Sequence, residues 1–153
     1  MKKLCQLLAV SMACLILTSM AMAQDHASKE EVVSKVKEAA ALIKAKGLDG
    51  CIEAINDPKG AFVWKDTYVF LMDLDGKILA HPVNAKLIGK TPTVADANGK
   101  MFSAEFIAVG KSQGEGWVDY MWPKPGEQAP SKKITYVYRA PETNVIVLSG
   151  IYE

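Results

Sequence analysis

With 18 Lys and Arg against 17 Asp and Glu in 153 residues the chain is close to neutral. Its basic residues are scattered, Lys132-Lys133 being the longest run beyond the first few residues, which excludes the charged footprint of a nucleic-acid-binding protein. Two His and three Cys, with no Cys-x-x-Cys pair, exclude a zinc site of soft ligands, a dithiol redox centre and haem attachment.

Lys2 and Lys3 precede an apolar run over residues 4–20, and Ala21-Met22-Ala23 supplies the small-x-small pattern of a cleavage site. This predicts a secretory signal peptide over 1–23 and a periplasmic or secreted domain over 24–153, of a size typical of one domain. Loss of Lys2 and Lys3 would take the formal charge from +1 to about −1. The alternative is an uncleaved leader tethering the domain outside the inner membrane. Lipidation at Cys14 is disfavoured, because Ser11-Met12-Ala13 makes a poor attachment box. No later apolar run approaches membrane-spanning length. Cys5 and Cys14 leave with the leader, and Cys51 is expected to be a small buried hydrophobe.

Ser28-Lys29-Glu30-Glu31 fits a capping box. Val32, Val33, Val36, Ala39, Ala40 and Ile43 then recur at helical spacing, predicting a helix over 29–46 that stops at Gly47. A second short helix is expected over 49–56, closed by Asp57-Pro58-Lys59-Gly60. Residues 67–72 form a β-branched and aromatic run, turned by Asp73-Leu74-Asp75-Gly76 into a return over 77–81. Asp96-Ala97-Asn98-Gly99 repeats that turn chemistry, and a short helix is expected over 101–109. Three strands follow over 116–122, 133–139 and 145–152. Helices first and strands later, joined by short turns, predict an α+β domain with a central antiparallel sheet.

Catalytic patterns are lacking. Asp73-Leu74-Asp75-Gly76 is a turn and not a calcium loop, whose glycine would fall sixth. Ser112, Ser131 and Ser149 lack a Gly-x-Ser-x-Gly elbow, and no Gly-rich phosphate loop opens a helix. No cofactor motif is present, and no carboxylate pair is singled out for acid–base work. Aromatic and cationic residues do concentrate in the later chain: Trp64, Tyr68, His81, Trp117, Tyr120, Trp122, Lys133 and Tyr136. Apolar walls with a few placed polar groups make a small-molecule site, although spacing alone favours core for such aromatics and solvent for a strand lysine.

The string from Tyr68 to Pro82 (YVFLMDLDGKILAHP) resembles the core of single Cache domains, the extracytoplasmic PAS-like sensor modules of chemoreceptors and histidine kinases. Leu87-Ile88-Gly89-Lys90, Asp96, Gly99-Lys100-Met101-Phe102, the segment 114–125, Lys133-Ile134-Thr135-Tyr136-Val137 and Ser149-Gly150-Ile151-Tyr152 follow in the family's order. The resemblance implies a long N-terminal helix on the sheet and a pocket on its other side, holding a small organic acid such as acetate, propionate, pyruvate or lactate. By position it implies Tyr68, His81, Tyr120, Trp122 and Lys133 as ligand-binding residues: Lys133 against the carboxylate, Tyr120 and His81 as donors, tryptophan excluding water. Trp64, Phe102, Trp117 and Tyr136 are further wall candidates. Alternation along a strand sets Lys133 against Tyr136, and Trp117 against Tyr120 and Trp122, so one of each opposed set faces away.

The expected function is therefore small-molecule sensing without catalysis. Because the sequence closes at Glu153 directly after the last strand, the module is expected to stand without an output domain of its own. A membrane receptor or sensor kinase is its expected partner. The alternative is an accessory interaction domain with a vestigial pocket.

Overall fold

A computed structural model describes residues 25–93 and 95–153; the expected leader lies outside the described residues. Helix α1 runs Lys29–Asn56 and opens with the capping box, the Glu31 amide donating to Ser28 Oγ at 3.2 Å and the Ser28 amide to the Glu31 carboxylate at 2.8 Å. Gly47, at φ 78°, breaks it into the two expected segments, a backbone conformation that side-chain-bearing residues avoid. Val32, Val36, Ala39, Ala40 and Ile43 are buried along one stripe. Cys51 is buried as well, its thiol donating to the Ala39 carbonyl and pushed up to about 11 by burial.

The sheet is antiparallel, in the order β1-β2-β6-β5-β4. Its strands are β1 (Val63–Trp64), β2 (Thr67–Asp73), β3 (Ile78–Ala80), β4 (Glu115–Pro123), β5 (Pro130–Arg139) and β6 (Val145–Tyr152). β3 pairs with β2 on the same edge as β1. Helix α2 (Phe102–Ser112) lies against β4 and β5, longer than the segment expected from sequence. At Asp73 the side chain accepts from the Asp75 and Lys77 amides and Gly76 takes φ 91°, which is a hairpin turn as expected. Asp96 and Gly99 repeat it.

Alternation along the strands sorts the side chains into two cores. Val69, Leu71, Tyr136, Val145 and Val147 pack with α1. Tyr68, Phe70, Met72, Val118, Tyr120, Val137, Ile146 and Leu148 pack with Phe102 and Phe106 of α2. No helix among the described residues is long and apolar enough to cross a membrane.

Candidate functional site

Between the sheet and α2 lies a cavity of about 30 Å³, lined by Tyr68, Phe70 and Met72 of β2, His81, Phe102 and Phe106 of α2, and Tyr120 and Trp122 of β4, among others. One water needs roughly 10–15 Å³ by this measure, so the space takes only a few non-hydrogen atoms. Its rings touch in sequence: His81 to Phe70 at 5.5 Å, Phe70 to Phe106 at 6.4 Å, Phe106 to Phe102 at 5.6 Å and Phe102 to Trp122 at 5.7 Å. Residues Leu87 and Pro92 close it from the loop after β3. That loop is pinned by the Ile78 amide donating to Lys90 O and the Gly89 amide to Ile78 O, both at 2.8 Å. Further along, the Met121 amide of β4 donates to Asp96. A wider cleft of about 260 Å³ adjoins it and shares Tyr68, His81 and Trp122, with Asn84, Lys124 and Glu127 at its mouth.

His81, Tyr68 and Tyr120 are set as donors towards the cavity. His81 is buried, its backbone amide held by the Asn56 side chain at 2.9 Å. Its Nδ1 accepts from the Asn84 amide at 3.0 Å, so the neutral ring carries its proton on Nε2. Burial, with the Lys133 charge second, pulls its pKa down to about 4, and the ring is neutral at pH 7. Tyr68 oxygen accepts from Lys133 Nζ at 3.4 Å, and Tyr120 oxygen accepts from Thr135 Oγ1 at 3.2 Å. Each phenol therefore keeps its own proton to donate. Burial pushes Tyr68 up to about 12 and Tyr120 higher still, so both stay protonated.

Lys133 is the decisive residue. It lies opposite Tyr120 on β4 and Tyr152 on β6, which places it on the α2 side of the sheet. The side chain is 0% exposed. Its amine sits 4.4 Å from the Tyr68 ring and 4.7 Å from the Tyr152 ring and takes part in no ion pair among the described residues. Burial draws its pKa down to about 7, against a weaker upward pull from Asp66. Lys133 does not itself line either cavity; it meets Tyr68, which lines both.

The structure thus gathers Tyr68, His81, Tyr120, Trp122, Phe102 and Lys133 on one side of the sheet. Three wall candidates go elsewhere. Trp117 stacks near Tyr136 at 5.2 Å, paired across β4 and β5, and both pack in the α1 core. Trp64 joins that core through its pairing with Thr67. Strand alternation is the reason, and these three are not walls of this cavity.

Sequence reading missed Tyr152, Gly150 and Ser103. Tyr152 covers the amine and donates to Pro123 O at 2.9 Å. Gly150 leaves room for β5 to approach: a Cβ there would clash with Thr135 Oγ1 and lie 2.6 Å from Ile134 O and 2.9 Å from Lys133 Cε. A glycine inside a strand signals close approach of another group, and that signal was available.

The methyl-accepting chemotaxis protein McpP of Pseudomonas putida is 34% identical over 88 residues, 57% of this chain and 16% of the receptor. The sensor histidine kinase MctS of Rhizobium johnstonii is 32% identical over 89 residues, 58% of this chain and 19% of the kinase. The chain thus spans under a fifth of either relative. A solved Cache chemosensory domain, described for its recognition of carboxylic acids, superposes with a TM-score of 0.68 at 30% identity, covering 80% of this chain and 91% of that one. The model of single Cache domain 2 matches residues 10–153, and the chain belongs to the single Cache domain family.

Proposed function

We propose that this domain is an extracytoplasmic sensor module that binds a short carboxylate and performs no chemistry on it. The observation that carries the reading is Lys133, a fully buried amine with no acidic partner among the described residues. A charge so placed is strongly unfavourable unless something compensates it, and an anionic ligand is the missing counter-charge. Tyr68, Tyr120 and His81 offer protons, and no carboxylate lines the cavity that holds all three, which suits an anionic ligand. A carboxylate one hydroxyl away, about 6 Å from the amine, gains roughly 3 kcal/mol at an effective dielectric near 20. The small cavity, of about 30 Å³, favours a short tail.

The domain's contribution is ligand capture, and its relatives carry such domains in a chemoreceptor and a histidine kinase. A membrane receptor or sensor kinase is accordingly the partner class to test. Thermal unfolding of the purified protein against acetate, propionate, lactate, pyruvate and longer acids at millimolar concentration tests the binding reading. A ligand at a hundred times its dissociation constant stabilises by about 2.7 kcal/mol. Shifts confined to the shortest acids support it. A flat panel on folded, ligand-free protein refutes it and favours the accessory-domain alternative.

A further inference from the structure

Ser103 is a polar group of the cavity wall that carboxylate binding leaves unused. It stands in the first turn of α2 and is 6% exposed, and its Oγ is buried with no hydrogen-bond partner among the described residues. A helical serine ordinarily bonds back to the carbonyl four residues earlier, as Ser112 does to Ala108 at 2.7 Å. Ser103 stands too near the helix start to have such a carbonyl within the helix. Its own hydroxyl therefore stands unpaired in the wall of a cavity lined mostly by apolar and aromatic side chains. A buried hydroxyl left so penalises an apolar atom placed against it and rewards an oxygen.

We propose that Ser103 sets the preference among the short acids this cavity admits, its hydroxyl favouring one that carries a hydroxyl or carbonyl oxygen on the chain over one that does not. This rests on the carboxylate reading and narrows its ligand class. A serine hydroxyl both donates and accepts, so it serves an alcohol or a ketone equally. Ser103 lines the same cavity as the donors Tyr68, Tyr120 and His81, so its hydroxyl belongs to the space that a ligand held by them enters. Propionate has the carbon skeleton of lactate and pyruvate and leaves the hydroxyl unpaired, and is expected to bind about tenfold more weakly.

The test is calorimetric titration of the purified protein and of Ser103→Ala with L-lactate, pyruvate and propionate. The variant removes an unpaired hydroxyl and installs the best helix former, so it should fold; Ser103→Cys, of similar shape but a weak hydrogen-bonder, gives an independent second reading. The native protein should prefer at least one oxygenated acid about tenfold over propionate, and both variants should bring that ratio close to one. A native preference for propionate, or a ratio that neither variant changes, overturns the assignment to Ser103 while leaving carboxylate binding intact. Failure of all three acids to bind overturns both.

Discussion

Replacing Lys133 with Met keeps most of the aliphatic stem and removes the amine. Burial lowers the pKa from 10.5 to about 7, and at 1.36 kcal/mol per pKa unit this sets a ceiling of about 5 kcal/mol on the unfavourable term. Between pH 7 and 10.5 the unfolded chain holds a proton that the folded chain releases. The penalty is therefore complete below pH 7 and fades as the pH rises towards 10.5, so native stability climbs across that window. Relaxation around the charge reduces the ceiling, and exchanges of buried charge for apolar groups typically return 1–4 kcal/mol. Lys133→Met without ligand should gain about 3 kcal/mol at pH 6, or roughly 10 °C in melting temperature for a domain of this size. At pH 10 the gain should nearly vanish. Thermal unfolding of both proteins at pH 6, 8 and 10, followed by circular dichroism, checks this. A variant less stable than the native protein at pH 6, or a difference that ignores pH, would refute the reasoning, because the amine would then be compensated within the protein.

Binding an anion should restore the proton to Lys133, so propionate binding at pH 8 takes up a proton. Its heat should then differ between Tris and phosphate buffers, and equal heats would contradict the coupling. Gly150→Ala drives a Cβ into Thr135 Oγ1, the Ile134 carbonyl and Lys133 Cε, and overpacking of this kind costs about 1–3 kcal/mol in urea unfolding. Trp117→Phe and Tyr136→Phe lie on the α1 side and should leave propionate affinity within about twofold. Trp122→Ala opens the wall shared by both cavities and should weaken affinity about tenfold.

Features governed by near neighbours were legible in the sequence. The Ser28–Glu31 box, the break at Gly47 and the Asp73–Gly76 turn each involve residues within four positions, and the structure has all three. The two-residue β1 left no pattern to read, and the helical segment after Gly99 was legible only in its first turns. Alternation showed that Lys133 and Tyr136 must oppose each other, but not which faces the pocket. That depends on register, since Lys133 belongs to the α2 side only because Tyr120 and Tyr152 stand opposite it. The tight fit at Gly150 and the burial of Ser103 arise from contacts across the fold, with Lys133, Ile134 and Thr135 of the neighbouring strand and with a cavity closed by the loop after β3. Family resemblance pointed to Tyr68, His81 and Tyr120, which the fold sets around one cavity, and kept Trp117 and Tyr136, which pack on the opposite face, as possible walls.

The most direct test of the central claim is an NMR pH titration of Lys133 in protein with isotopically labelled lysine, with and without saturating propionate. The account predicts a pKa near 7 in the free protein, rising by about 2 when the carboxylate supplies roughly 3 kcal/mol of attraction. A Lys133 that titrates like a solvated lysine, or whose titration propionate leaves unmoved, would contradict its role as the anchor of the ligand.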